Sequence, residues 1–268
     1  MGQEKTSYQK TMAVMKANLS RALAVTLMFL SVLLLLVMLG LLAEWSAGFF
    51  FHRQVQKLIM VSLMVAGVFL VILPLELGIK RWFYELCFQE DASLTEIFFF
   101  FEKPGRYIKS VWFRLQMTVR RLAAYIVFLL PWIIVELFSW ALIPYGESWQ
   151  AVCSILSAAA LVLGLIFGFL RNLRFYLADY LLFSDLSCHG SKAANISTGL
   201  MKTKQRELAG TFLSLFPFYL VSLFVVPLLL LIPVLYTLTA VKAIEFLKQD
   251  QKTKNMFSGI WYSGSKEV

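Results

Sequence analysis

The sequence predicts an all-α fold, a polytopic bundle of six transmembrane helices, and three observations carry that prediction. Hydrophobic residues make up 59% of the 268-residue chain, charged residues only 15%, and the mean hydropathy is +0.73. A soluble domain carries about 25% charged and about 45–50% apolar residues. One globular core of this size cannot hide the excess, so lipid must act as solvent. Apolar runs long enough to cross about 30 Å of hydrocarbon recur along the chain. Finally, the 25 Lys and Arg residues are sorted by side. All but Arg53 and Lys57 lie on the side that holds both termini, which the positive-inside rule makes cytoplasmic. The net charge of +9 is therefore read as membrane orientation and not as nucleic-acid binding.

Residues 1–21 are polar, with Lys5, Lys10, Lys16 and Arg21 against Glu4. The first span, 22–43, outruns the about 7–15-residue apolar core of a signal peptide and is read as retained. A loop carrying Trp45 and Phe49, suited to the interfacial aromatic belt, leads to span two at 58–79. Pro74 lies near that span's far end, and Lys80-Arg81-Trp82-Phe83-Tyr84 continues it as a basic, aromatic collar. Ser93 followed by Glu96 fits a capping box opening a new helix, and Pro104-Gly105 breaks it. Span three, 122–142, contains Pro131 and Glu136. Span four, 151–170, carries Ala160, Gly164 and Gly168 at four-residue spacing, which permits close helix contact. A second collar follows at Arg171, Arg174, Phe175 and Tyr176, then a helix over about 191–204. The apolar run 208–241 is too long for one upright helix. It divides near Val226-Pro227 into spans at 207–225 and 226–246, with one long bent helix as the alternative. Residues 1–247 then form a single membrane domain, with interfacial segments at 80–121 and 171–206 and a polar tail at 248–268. The recurring order of basic segment, span, span and collar suggests three parallel helical-hairpin repeats.

The longest polar interruption, Asp91–Leu122, organises this layout. At about 100° per residue, Arg106, Lys109, Arg114, Arg120 and Arg121 share one arc. Ile108, Val111, Trp112, Leu115, Val119 and Leu122 fall opposite. Such a helix suits the headgroup layer, its apolar stripe entering the acyl boundary and its cations meeting anionic lipid. The competing reading is a solvated helix packed against the rest of the protein.

Catalytic and metal chemistry find little footing. His52 and His189 fall on opposite sides, and Cys188-His189 lacks the spaced partners zinc requires. No nucleophile-elbow, phosphate-loop or metalloprotease motif occurs, and Cys87, Cys153 and Cys188 suggest no disulfide framework. No cofactor is expected. Two carboxylates lie within spans. Glu76 can pair with Lys80 at i+4. Glu136, deeper, is either a site on an ion or substrate path or a protonated acid hydrogen-bonded within the bundle.

Three stretches then carry a resemblance: Tyr176-Leu177-Ala178-Asp179-Tyr180, Ser197-Thr198-Gly199-Leu200-Met201-Lys202 and Phe212-Leu213-Ser214-Leu215-Phe216, followed by Ile232-Pro233-Val234-Leu235-Tyr236. Together they resemble the C-terminal third of a bacterial integral-membrane family known as domain of unknown function 975. Tyr180-Leu181 stands where that family has Asn-Pro, and Val234 where Tyr follows the proline. The resemblance implies a bacterial cytoplasmic membrane and six helices, and it supplies no catalytic residues.

The function expected is a non-enzymatic scaffold, assembly or envelope-maintenance factor. The partners expected are the bilayer and anionic phospholipids, with another membrane protein as a further candidate. Arg106, Lys109, Arg114, Arg120, Arg121 and Trp112 are the candidate lipid or partner contacts. The alternative is a small permease or transporter subunit using Glu136 or Glu76 as its membrane carboxylate.

Overall fold

The computed structural model describes residues 6–49, 52–87, 92–141, 147–184, 189–217 and 225–249, and among them every regular element is helical. Helix α1 (Ser7–Ala47) opens with Thr6, whose side chain and the Gln9 side chain close a capping box, satisfying two otherwise orphaned donors. It bends at Asn18, where the backbone leaves helical geometry at φ −126° and ψ 22°. Helix α2 (Arg53–Gly67), a π turn (Val68–Ile72) and α3 (Leu73–Leu86) form one continuous rod. The π turn sits just ahead of Pro74, which has no N–H to give the carbonyl of Leu70. Tyr107 fills that place, its hydroxyl donating to the Leu70 carbonyl at 2.8 Å.

A short 3₁₀ turn (Leu94–Phe98) follows. Ser93 caps it as expected, but through the backbone N–H of Thr95, while Glu96 turns away to Arg81 at 3.3 Å. The reciprocal half of the expected capping box therefore does not form. Gly78 makes room for the turn: a Cβ there would collide with the Ile97 carbonyl. Helices α4 (Pro104–Ala141), α5 (Glu147–Asn172), α6 (Ala178–Ser184), α7 (Gly190–Ser214) and α8 (Val225–Gln249) complete the order.

Five helical stretches are long and apolar enough to cross a membrane: Ser7–Ala47, Arg53–Leu86, Pro104–Trp140, Ala151–Phe183 and Leu229–Lys248. They contain the expected spans one, two and four and most of spans three and six. The fifth, 207–225, begins within α7 and lies partly outside the described residues, as does the tail; Cys188 lies wholly outside them.

Side-chain contacts fix how the rods pair. Gly40 packs on Met64 and Gly67 on Leu36. Glu136 meets Ser157, and Arg121 meets Asn172. Lys204 reaches the Phe246 carbonyl at 2.9 Å and Glu207 reaches Lys242 at 2.7 Å. In each pair one partner advances along the chain as the other retreats, so α1/α2, α4/α5 and α7/α8 are antiparallel hairpins. The described residues of the run from 208 to 241 thus belong to two antiparallel helices, and not to one bent helix. Helix α8 also packs antiparallel to α1, with Glu245 accepting from Ser7 and Lys10 and Thr237 donating to the Met15 sulfur.

The core sits at one end of these rods. Leu77, Phe83, Phe100, Met117, Leu177, Met201 and Phe246 are buried there, close to the Lys and Arg residues. At the far end α1/α2 and α4/α5 show apolar side chains outward, among them Leu34, Leu41, Leu137 and Trp140. Without lipid that surface is far larger than a soluble monomer tolerates.

Candidate functional site

Within the cationic end lies a buried ion cluster. Asp179, on α6, is 2% exposed. One of its carboxylate oxygens accepts from Lys80 Nζ at 3.0 Å and Arg114 Nη1 at 3.3 Å, with Arg121 Nη2 at 3.8 Å. Glu76 joins through Lys80 at 2.8 Å and Arg114 at 3.6 Å. Three cations therefore face two carboxylates, and α3, α4 and α6 are tied at one point. Burying such charges is tolerable only because each is paired in the same low-dielectric space. Asp179 Oδ1 meets no hydrogen-bond donor among the described residues.

A cavity of about 370 Å³ opens beside the cluster. Lys80, Arg121 and Asp179 line it with Tyr176, Tyr180 and Tyr236. Tyr176 donates to the Thr239 carbonyl, and Tyr180 to the Thr239 hydroxyl at 3.1 Å. Tyr236 stacks on Phe83 with centroids 5.3 Å apart. Phe212, Ile232 and Leu235 supply apolar wall. Residues from three of the stretches that carry the family resemblance thus meet at one place, though they are far apart in the chain.

The basic arc of α4 is divided by this arrangement. The centre of the arc is where Ser110, Phe113 and Met117 are buried, so the arc faces the protein. Arg114 is 2% exposed and belongs to the cluster, which corrects its assignment as a lipid contact; Arg121 turns inward beside it. The expected flat placement in the headgroup layer is also corrected. Residues 104–141 form one helix of about 57 Å at 1.5 Å per residue, continuous with the span. Outward lie Ile108, Trp112, Val119 and Leu122. Lys109 is exposed, and Arg106, half-buried, pairs with Glu102 at 3.0 Å and covers the Phe99 ring. Arg120 lines a groove between α4, α5 and α7.

The two candidate carboxylates differ in the same way. Glu76 pairs with Lys80, as its spacing suggested, and is held in the cluster. Glu136 accepts from Ser157 at 2.7 Å in the α4/α5 seam and lines neither cavity described. Among the described residues no group of His, Cys, Asp and Glu has the makings of a metal site. Sequence reasoning missed Asp179 and Lys80 as members of a site. The usable signal was an acid inside the apolar stretch Phe175–Phe183, where an ionisable side chain demands a partner.

No family model, curated protein or solved structure matches the chain.

Proposed function

We propose that the protein is a non-catalytic scaffold of a bacterial cytoplasmic membrane, organising anionic lipid or a partner at the inner leaflet. Membership of the family known as domain of unknown function 975 is part of the same reading. The observation that carries it is the ion cluster. Asp179 and Glu76 are engaged by Lys80, Arg114 and Arg121, so these ionisable groups hold helices together and are not themselves free to act as acid or base. Arg106, in the first turn of α4, and Lys109 and Arg120, at one edge of the arc, stay near the surface and suit phosphate headgroups.

The test separates the two sets of cations. Replacing Arg106, Lys109 and Arg120 by Gln is expected to lower phosphatidylglycerol and cardiolipin retention, read by native mass spectrometry, with the thermal unfolding temperature unchanged. Unaltered retention would count against the scaffold reading.

A second reading, a small permease, draws on the cavity beside Asp179. The coupling carboxylate would be Asp179 and not Glu136. Proteoliposome flux that survives Glu136→Gln and disappears in Asp179→Asn would favour it, provided Asp179→Asn still purifies as a folded monodisperse protein.

A further inference from the structure

We infer that the groove between α4, α5 and α7 is the seat of one membrane phospholipid bearing two phosphates, held by Arg120, Arg171 and Arg174. The inference rests on the lipid-binding reading and gives it a defined site. The groove encloses about 980 Å³. Its polar end is lined by the three arginines with Asn195, Thr198 and Gln205; its other end by Val127, Phe128 and Phe167.

The charge is uncompensated. Arg81, Arg106, Arg114 and Arg121 each have a carboxylate within ion-pair reach. Among the described residues Arg120, Arg171 and Arg174 have none. Three guanidiniums lining one groove without an anion repel one another, and a phosphate diester relieves that repulsion through paired N–H donors. One phosphate leaves two positive charges; two phosphates leave one.

The site is also built and not incidental. Ser197, fully buried, donates to the Arg174 carbonyl at 2.7 Å and accepts from the Leu177 N–H at 3.1 Å. That pins the turn after α5 onto α7. Arg174 Nε donates to Gln205 Oε1 at 3.1 Å, and Gln205 in turn donates to the Leu170 carbonyl. The guanidinium is thus held from one side.

The apolar end decides for a lipid over a free anion. Val127 lies seven residues, about 10 Å, along α4 from Arg120 and is 60% exposed, and Phe167 is 51% exposed. Val127 follows Arg120 on α4 and Phe167 precedes Arg171 on α5, so both lie on the side of the arginines away from the cationic end. An acyl chain covers such a wall; inorganic phosphate does not. Basic pockets between helices on the cytoplasmic side are where doubly anionic headgroups bind.

The test uses the full-length protein, delipidated in mild detergent and titrated with cardiolipin, phosphatidylglycerol or inorganic phosphate under native mass spectrometry. One cardiolipin per chain is expected, bound at least about tenfold more tightly than phosphatidylglycerol and not displaced by inorganic phosphate. Arg171→Gln with Arg174→Gln is expected to weaken cardiolipin by about tenfold or more. Val127→Trp, which fills the groove at an exposed position and keeps every arginine, is expected to do the same. Circular dichroism and gel filtration verify folding, and Val127→Trp decides the matter if the arginine variant fails to fold. Unchanged cardiolipin binding in the folded variants, equal affinity for phosphatidylglycerol, or displacement by inorganic phosphate overturns the inference. If Arg106→Gln with Lys109→Gln abolishes binding and the groove variants do not, the groove is wrong and the scaffold reading stands. If the wild-type chain retains no anionic lipid, both are wrong.

Discussion

Arg114 shows what one buried guanidinium does for this bundle. It reaches Asp179 and Glu76 together, so Arg114→Gln removes the most deeply buried of the three cations that hold them. Loss of one partner from a buried pair costs about 3–5 kcal/mol. A large drop in unfolding temperature is expected, whereas Lys109→Gln, on an exposed residue, is expected to change it little. Equal effects of the two would show that Arg114 is not held as described. Cys87 gives a second residue-level expectation. Burial pushes its thiol up to about 12, and its Sγ donates to the Phe83 carbonyl at 3.2 Å. The fold favours the neutral thiol, and an unfolded thiol ionises near 8.5. The stability this group contributes is therefore present at neutral pH and is lost as pH rises from about 8.5 toward 12. In a chain whose only cysteine is Cys87, iodoacetamide alkylation at pH 8 should be on the order of a hundredfold slower than for a free thiol. A rate like that of free cysteine would contradict this. These residue-level features were the least legible in sequence. A helical wheel shows that Arg114 and Arg120 share an arc, but not that Asp179, 65 residues on, occupies the space in front of one and not the other.

Among the elements, the α4/α5 hairpin is the clearest case of sequence dictating structure. The small-residue spacing of span four predicted a close helix contact, and a Cβ on Gly164 would come within 2.6 Å of the Phe128 carbonyl. The obstacle is backbone and cannot swing aside. Gly164→Leu should force α4 and α5 apart at a cost of about 1–3 kcal/mol, read as reduced thermal stability, while Gly199→Leu, with nothing near its Cβ, should be close to neutral. If both behave alike, the contact is not what the glycine serves. Spans were legible because their lengths and hydropathy are set by the bilayer. Helix continuity was not. Nothing in residues 104–122 alone reveals that a basic segment extends a span as one rod, because amphipathic pattern is the same whichever way a helix lies.

At the scale of the whole molecule, charge and packing are segregated together: the end with the dense core is the end with the cations. That coincidence predicts an orientation. In a cysteine-free background, Arg53→Cys should react with a membrane-impermeant maleimide in intact cells, and Lys109→Cys only after permeabilisation. The opposite pattern would reverse every statement made about the inner leaflet. The ion cluster has a further consequence, for the birth of the chain. Lys80, Arg114 and Arg121 leave the ribosome before Asp179, with Glu76 alone to answer three positive charges. A nascent protein halted before Asp179 therefore carries an excess of two positive charges in this cluster, where the finished one carries one. The arrival of α6 is thus the step that lets these three cations be buried with a second counter-charge.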